Sequence, residues 1–209
     1  MTDHYFNAEP TVADRRSTVK AHIWSRDYEF TTASGVFSRE GLDKGTRVLL
    51  DASTPPSGKQ TILDLGCGWG PIACAIAAEG PETTVFAVDT NERALGLVRM
   101  NAERAGIAER VIACLPDGVP QKIDFDAIWS NPPIRIGKRA LHELLLHWLP
   151  RLTPDGSARL VVGKNLGSDS LQSWLNDQGW LSTRGTSVKG FRVLRVVRSG
   201  NCSTQAEPA

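Results

Sequence analysis

The sequence holds few of the residues that build metal centres. Among its 209 residues are four cysteines and four histidines. No cysteines form a Cys-x-x-Cys pair and the histidines show no ligand spacing, so we expect no metal site. Cys67, Cys74 and Cys114 lie in apolar runs and are expected as small core residues. This cysteine usage is typical of a protein in a reducing cytoplasm.

Long apolar runs are also missing. Residues 1–10 are polar, which is unlike a secretory signal peptide, and no apolar run approaches the roughly 18 residues that a membrane-spanning helix needs. These absences predict a soluble, cytoplasmic protein with no membrane partner.

Charge is nearly balanced overall but unevenly distributed. The net charge of +1 does not by itself indicate a nucleic-acid partner. Residues 178–206 contain no acidic residue. That stretch and a shorter one near the start carry these cations: Arg184, Lys189, Arg192, Arg195 and Arg198, and Arg15, Arg16, Lys20 and Arg26. They either follow RNA phosphates or form solvated strand faces, and both interpretations stay open.

Strand and helix patterns alternate after residue 60. Short apolar strands are predicted at 62–65, 84–88, 111–114, 125–129 and 158–162, with a final strand pair at 180–186 and 191–197. Helices are predicted at 70–79, 92–105, 138–149 and 168–177. Repeated β-α-β units with apolar strands predict an α/β fold with a doubly wound, mostly parallel seven-stranded sheet and an antiparallel C-terminal strand.

The first 55 residues have a different pattern. Alternating apolar residues around 19–23 and 28–30 predict a β-hairpin with its break at residues 25–27, followed by a loop at 34–38 and a helix at 43–52. A Pro- and Ser-rich segment at 52–60 then separates this part from the rest. We expect a hairpin and helix extension over 1–55, the main domain over 56–200 and a flexible tail over 201–209, within one structural domain.

A glycine-rich turn ends the first strand of the main domain. The segment Asp64-Leu65-Gly66-Cys67-Gly68-Trp69-Gly70 opens directly into a helix. Glycines there permit positive φ and close approach of a ligand to the backbone, and the helix start offers N–H groups. The Gly-x-Gly-x-Gly spacing differs from the Gly-x-Gly-x-x-Gly of dinucleotide-binding domains. Asp64 suits a sulfonium or ammonium better than a pyrophosphate, or else bonds loop amides.

Acidic residues follow the next two strands. Asp89, with Thr90 beside it, lies about 20 residues beyond the first strand, where a carboxylate can accept both hydroxyls of a ribose. NAD enzymes share this feature, so Asp89 alone does not identify the ligand. Asp117-Gly118 follows the third strand and either binds an adenine amino group or forms an ordinary turn.

Two consecutive prolines follow the strand at 125–129. In Asn131-Pro132-Pro133-Ile134 each proline restricts the residue before it, which holds the segment extended and stiff. The side-chain oxygen of Asn131 and the carbonyl of Pro132 can both accept from one exocyclic amine. Two such acceptors position a poorly nucleophilic aromatic nitrogen, so catalysis there needs little beyond orientation.

Together these motifs resemble class I S-adenosylmethionine (SAM)-dependent methyltransferases that act on an exocyclic nitrogen. The "methyltransferase small" domain is the more specific resemblance, as found in the small-subunit (16S) ribosomal RNA guanine-N2 methyltransferase C family. It rests on the segments Asp14-Arg15-Arg16, Ser34-Gly35-Val36-Phe37-Ser38, Leu42-Asp43-Lys44-Gly45-Thr46 and Lys189-Gly190-Phe191-Arg192-Val193-Leu194.

The resemblance implies a role for each matching residue. Asp64, Gly66, Cys67 and Gly68 would hold the methionine part of SAM, Asp89 and Thr90 the ribose, and Asp117 and Gly118 the adenine. Asn131, Pro132 and Pro133 would hold the target amine, and Asn131 would also lie against SAM. Ile134 is expected to contact the substrate, and because many relatives have an aromatic residue at its position, Phe37 is expected to supply the stacking face. Arg135 and Lys138 are expected to contact RNA, since cations at a helix start oppose the helix dipole.

The leading hypothesis is methylation of guanine N2 in ribosomal RNA, either free or in the small ribosomal subunit, by a monomer or weak homodimer. Methylation of adenine N6, a protein glutamine or a small molecule is the alternative. A protein that binds SAM or a nucleotide without turnover is a second alternative, against which the intact Asn131-Pro132-Pro133 argues. An NAD(P)-dependent oxidoreductase is disfavoured by the glycine spacing and by the lack of an evident Tyr-x-x-x-Lys pair.

Overall fold

The computed structural model describes residues 12–133 and 136–200. The strands are β1 (Arg16–Ile23), β2 (Arg26–Ala33), β3 (Thr61–Leu65), β4 (Thr84–Val88), β5 (Val111–Cys114), β6 (Phe125–Ser130), β7 (Leu152–Gly163), β8 (Trp180–Val188) and β9 (Phe191–Arg198). The α-helices are α1 (Lys44–Asp51), α2 (Pro71–Glu79), α3 (Glu92–Arg104), α4 (Lys138–Trp148) and α5 (Ser168–Asp177).

The main sheet has the order β5-β4-β3-β6-β7-β9-β8. Pairing is parallel from β5 to β7, and β9 runs antiparallel to both β7 and β8. The predicted fold class is therefore confirmed. Because the chain first adds β4 and β5 on one side of β3 and then places β6 on the other side, the order reverses between β3 and β6. Ligands of doubly wound sheets bind at the carboxyl ends of the strands beside such a reversal.

Apolar residues cover both faces of the sheet. On one face, β1, β2, α1, α2 and α3 share a core that includes Phe30, Leu49, Ile76 and Val98. On the other face, α4 and α5 bury Leu145, Trp148 and Leu175 against the same strands. Most strand residues of β3, β4 and β6 are buried, as expected for strands that helices cover on both sides.

The N-terminal hairpin is fixed to the main domain by a buried asparagine. In α3, Asn101 accepts a hydrogen bond from the backbone N–H of Thr31 (2.7 Å) and donates to the carbonyls of Thr31 (2.9 Å) and Trp69 (2.8 Å). Through Asn101 of α3, these bonds join β2 to the glycine-rich turn. The hairpin therefore packs into the same core as the sheet, while the proposed division at residue 55 remains a prediction and the tail at 201–209 lies outside the described residues.

Two local features differ from the sequence prediction. The hairpin turns at Trp24 and Ser25 rather than at 25–27, since Ile23 pairs with Arg26. Trp24 takes a positive φ of 51° there, and its indole N–H donates to the carbonyls of Leu50 and Ser53. Strand β7 is longer than the predicted 158–162 because it already pairs with β6 at Leu152, with a register shift before the second stretch of pairing.

Candidate active site

A cavity of about 280 Å³ opens at the carboxyl ends of β3, β4 and β6. Residues from several elements line it: Val36, Phe37, Asp43, Leu65, Gly66, Gly68, Val88, Asp89, Thr90, Asn91, Ala94, Pro116, Asn131, Pro132, Pro133, Leu144, Trp148, Gly163, Leu166 and Phe191. The glycine-rich turn, the acid after β4 and the Asn-Pro-Pro segment, which are far apart in sequence, thus share one cavity.

The glycine-rich turn is held against the end of β4. The N–H groups of Gly66 (2.8 Å) and Cys67 (3.0 Å) both donate to the carbonyl of Val88. Gly66 and Gly68 have positive φ values of 75° and 54°, which explains the need for glycine at both positions. A Cβ built on Gly68 would meet no described atom within 4 Å. The backbone there is accordingly open to a ligand.

Asp89 connects this turn to the start of α3. One carboxylate oxygen accepts from the N–H of Gly68 and the other from the N–H of Asn91, each at 2.9 Å. Burial raises the pKa of Asp89, while these backbone donors counteract the shift. The backbone of Thr90 acts in the same direction, and a carboxylate has about four lone-pair sites, so acceptor capacity remains for a ligand. Thr90, also on the cavity wall, is exposed.

Asp64 and Cys67 lie behind the cavity wall rather than on it. The Asp64 carboxyl is fully buried, and one of its oxygens accepts from the N–H of Ala73 in the first turn of α2 (2.9 Å). Its other oxygen has no partner among the described residues. Burial raises the pKa of Asp64 to about 8, and burial also raises the pKa of the Cys67 thiol. The amide that Asp64 bonds belongs to α2 and not to the glycine-rich loop, and a cationic ligand group as its partner stays a prediction.

The loop at 34–38 is tied to the same site by α3. Asn91 caps α3 with its side-chain oxygen and donates through its amide nitrogen to the carbonyl of Gly35 (2.8 Å). Arg93 donates to the carbonyl of Ser34 (2.8 Å). These bonds place Val36 and Phe37 on the cavity wall, where the side chain of Phe37 is exposed. Asn91 was not among the predicted site residues, although an asparagine at the N-cap before a predicted helix can be recognised in the sequence.

The side chain of Asn131 is held from one side. Its amide nitrogen donates to Asp43 Oδ2 (2.8 Å) and to Thr46 Oγ1 (3.0 Å), both at the start of α1. Within the described part of the chain, neither Asn131 Oδ1 nor the carbonyl oxygen of Pro132 accepts a hydrogen bond from another residue. Two acceptors of the Asn-Pro-Pro segment therefore stay available, and their binding of one exocyclic amine stays a prediction.

Further aromatic and apolar residues complete the wall, and sequence reasoning missed them. Phe191, at the start of β9, is half-buried and lines the cavity together with Leu144 and Trp148 of α4. In the sequence, Phe191 was noted only as part of the segment 189–194 that resembles the family, and no role was predicted for it. Nothing in the local pattern of β9 shows that it reaches a site built mainly from β3, β4 and β6.

Some predicted residues lie beside the cavity or outside the described part. Asp117 and Gly118 are exposed in a short 3-10 turn, of which Pro116 alone lines the cavity. Lys138 is exposed at the start of α4. Ile134 and Arg135 lie outside the described residues, so their predicted roles stay predictions.

Several of the basic residues serve within the protein. Arg192 and Arg184 both pair with Asp169 of α5. Arg198 donates to the carbonyls of Pro150 and Leu152 at 2.7 and 2.8 Å. Lys189, at the turn between β8 and β9, and Arg195 are exposed, so they remain the cations of this stretch that are best placed for an external phosphate.

Residues 12–133 and 136–200 lack both a metal-binding cluster and a membrane-spanning helix. No group of three or more His, Cys, Asp or Glu residues there is arranged to hold a metal ion. No helix there has the length and apolar character needed to cross a membrane.

Known proteins resemble this chain in sequence. The uncharacterized protein YbxB of Bacillus subtilis (strain 168) is 36% identical over 198 residues, which cover 94% of this chain and 98% of YbxB. The ribosomal RNA small subunit methyltransferase C of Shewanella halifaxensis is 31% identical over 163 residues, 71% of this chain. The match covers 47% of that enzyme, so this chain spans about half the length of such relatives.

Structural comparison gives the same fold. A T. thermophilus 16S rRNA N2 methyltransferase, solved in complex with AdoMet and guanosine, superposes with a TM-score of 0.71 at 21% identity, covering 88% of this chain and 50% of that one. The family model described as Methyltransferase small domain matches residues 27–195. The chain therefore belongs to the Methyltransferase small domain family, a family of SAM-dependent methyltransferases.

Proposed function

We propose that this chain binds SAM in the cavity and transfers its methyl group to an exocyclic amine, with guanine N2 of small-subunit ribosomal RNA as the target. The observation that carries the proposal is the arrangement of Asn131. Its amide nitrogen is engaged by α1, so its oxygen and the Pro132 carbonyl remain as acceptors beside the glycine-rich turn and Asp89.

The residues around the cavity fit SAM. Gly66 and Gly68 offer an accessible backbone, and Asp89 and Thr90 offer acceptors for ribose hydroxyls. Val88, Ala94 and Pro116 supply apolar surface for an adenine ring. When bound, SAM supplies an electrophilic methyl group on a positively charged sulfur. Asp64 would act indirectly, by fixing the start of α2 through its bond to Ala73.

The Asn-Pro-Pro segment would bind and orient the substrate amine. The nitrogen of an aromatic amine is a weak nucleophile because its lone pair is delocalised into the ring. Asn131 Oδ1 and the Pro132 carbonyl accept its two hydrogens, which orients the lone pair toward the methyl donor. Neither acceptor is a base, so the amine stays neutral until it is methylated, and the released proton passes to water.

Two features favour a nucleobase as substrate. Phe37 and Phe191 bring aromatic rings to the same cavity, and such rings stack on bases that leave their helix. The methyltransferase C relatives are named for action on small-subunit ribosomal RNA. Arg135 and Lys138 follow the Asn-Pro-Pro segment in the sequence, and we propose that they contact phosphates next to the target base. We propose the same role for Lys189 and Arg195, which are exposed.

Calorimetry tests the cofactor. We expect SAM and S-adenosylhomocysteine to bind and NAD not to bind. Asp89→Ala is expected to weaken SAM binding by about 10- to 100-fold, because hydrogen bonds to a charged group are worth roughly 1.5–3 kcal/mol. Asp126→Ala is the matched control, since the Asp126 carboxylate also accepts a backbone N–H, that of Thr61, but lies at the opposite end of the strands. Binding of NAD alone would exclude the proposal.

Mass spectrometry of RNA nucleosides tests the target. We expect N2-methylguanosine to fall in small-subunit RNA from cells that lack this protein and to be restored by the wild-type gene. Purified protein with labelled SAM, given that RNA either free or in the assembled subunit, shows which form is the substrate. N6-methyladenosine or a methylated protein glutamine as the product would contradict guanine and support the alternative amines.

A further inference from the structure

The catalytic asparagine is oriented by a helix that lies far from it in sequence. Asn131 Nδ2 is 2.8 Å from Asp43 Oδ2, 88 residues away, and 3.0 Å from Thr46 Oγ1, 85 residues away. Both partners belong to the start of α1, which is outside the strands that carry the cofactor motifs. Thr46 is buried and Asp43 is partly buried.

The chemistry of these partners allows one orientation of the amide. An ionised carboxylate only accepts hydrogen bonds, so the amide nitrogen of Asn131 must face Asp43. Rotating the amide by half a turn would set its oxygen against the carboxylate and lose the bond to Asp43, whereas the Thr46 hydroxyl can donate to an oxygen as well as accept from a nitrogen. Asp43 therefore selects the orientation, and Thr46 supports it. The charge of Asp43 also polarises the amide and strengthens its oxygen as an acceptor. Asn131 Oδ1 is thereby kept for a ligand.

The start of α1 is itself rigid. Asp43 caps the helix, because the same Oδ2 accepts from the N–H groups of Gly45 (2.7 Å) and Thr46 (3.1 Å). Buried side chains later in the helix, among them Leu49 and Leu50, anchor it to the core. The acceptor that holds Asn131 is therefore fixed by the helix backbone.

Gly45 makes room for this contact. A Cβ at this position would lie 3.0 Å from Asp43 Oδ2, 3.1 Å from Phe191 Cε1 and 3.2 Å from Asn131 Oδ1. Glycine is otherwise unfavourable inside a helix by about 0.5–1 kcal/mol relative to alanine. Its presence in the buried first turn of α1 is explained by the close approach of these groups.

We propose that Asp43 and Thr46 are positioning residues for methyl transfer: they lock the amide of Asn131 with its oxygen toward the substrate amine, and Gly45 permits the contact. The inference rests on the proposed function of Asn131. It assigns part of the reaction geometry to α1, so the N-terminal part of the chain sets the rate as well as the shape of the cavity.

Thr46→Val and Thr46→Ser form a matched pair. Valine removes one acceptor at nearly constant shape and leaves the Asp43 cap in place, whereas serine keeps the hydroxyl. We expect Thr46→Val to lower kcat by about 10-fold, the scale of one positioning hydrogen bond, with KM for SAM nearly unchanged. Thr46→Ser is expected to restore most of kcat.

Asp43 and Gly45 give independent variants. Asp43→Asn keeps an oxygen for both the helix cap and Asn131, and is expected to lose much less kcat than Asp43→Ala. Gly45→Ala is expected to lower kcat while the protein stays folded, since alanine favours the helix. In an Asn131→Ala background, Thr46→Val should have no further effect on kcat, because its partner is gone.

A measurement without substrate separates this inference from the proposed function. Comparison of ¹⁵N–¹H spectra of wild type and Asn131→Ala identifies the side-chain amide signals of Asn131. We expect their exchange with water to accelerate in Thr46→Val and to stay slow in Thr46→Ser. Unchanged exchange, or equal additional loss of kcat from Thr46→Val with and without Asn131, would overturn the positioning role. A wild-type protein that methylates no RNA would overturn the proposed function alone, since the exchange result still decides the geometry.

Discussion

Asn131→Ala is expected to lower kcat for methyl transfer by about 10²- to 10³-fold, the range seen when one preorganised polar group at a reacting centre is removed. The variant loses the side-chain acceptor for the amine and leaves only the Pro132 carbonyl. The affinity for SAM should remain close to that of the wild type, because Asn131 is proposed to contact the amine, while Gly66, Gly68 and Asp89 carry the cofactor. The loss should therefore be found in kcat and not in KM for SAM.

The measurement is single-turnover methylation of small-subunit RNA, together with calorimetry for SAM. Asn176→Ala is the matched control: the Asn176 side chain is likewise hydrogen-bonded within the protein, its oxygen accepting from Ser182 N at 2.9 Å, but it lies near the end of α5 and is not part of the cavity wall. Its kcat should equal that of the wild type. If Asn131→Ala turned over normally on the same RNA, the acceptor role of the Asn-Pro-Pro segment would be excluded.

The sheet could be predicted because each β-α-β unit has a recognisable pattern within its own stretch of sequence. The apolar segments of β3, β4, β5 and β6 are each followed by polar or glycine-rich turns, so their existence and direction follow from the pattern. The extent of β7 could not be read in this way. Its first residues pair across a register shift with β6, and only the partner strand makes Leu152 part of the sheet.

The cavity was predictable where one strand end supplies the residue. The predicted residues that follow strands ending side by side all reach the cavity. They are Gly66, Gly68, Asp89, Asn131, Pro132 and Pro133. The environment of a side chain was harder to predict. Asp64 is an acid in an apolar strand, and the sequence offered both an amide and a cationic ligand as its partner. Only the packing of α2 shows that an amide of that helix is its partner.

Contacts between segments that lie far apart in the sequence could not be predicted from local sequence patterns. Asp43 was part of a matching segment, yet its contact with Asn131 depends on where α1 packs on the sheet. The same holds for Phe191, which comes from β9 and joins a cavity formed by earlier strands. The segment before residue 55 thus contributes Val36, Phe37 and Asp43 to the cavity wall. The N-terminal extension is therefore part of the candidate site.

The stability of the protein should depend on pH through Asp64. Its folded-state pKa is raised to about 8 by burial, from an ordinary value of 3.8. The folded state therefore holds a proton that the unfolded state releases. The resulting stabilisation is fully present below the unfolded pKa and is lost as the pH rises toward 8, at roughly 1.4 kcal/mol per pH unit. Ionised Asp64 would leave one oxygen buried without a partner.

Asp64→Asn isolates this contribution. Asparagine is neutral at every pH and keeps an oxygen for the N–H of Ala73, so its stability should fall less as the pH rises. Between pH 5 and pH 8.5, we expect the wild type to lose more unfolding free energy than Asp64→Asn. The difference between the two losses should be on the order of several kcal/mol. Urea unfolding at a series of pH values measures it. Asp126→Asn, at an exposed carboxylate that accepts the N–H of Thr61, is the control and should give a much smaller shift. A difference between Asp64→Asn and wild type that did not change with pH would show that the Asp64 carboxylate is ionised in the folded protein, and that a cation or water reaches it behind the cavity wall.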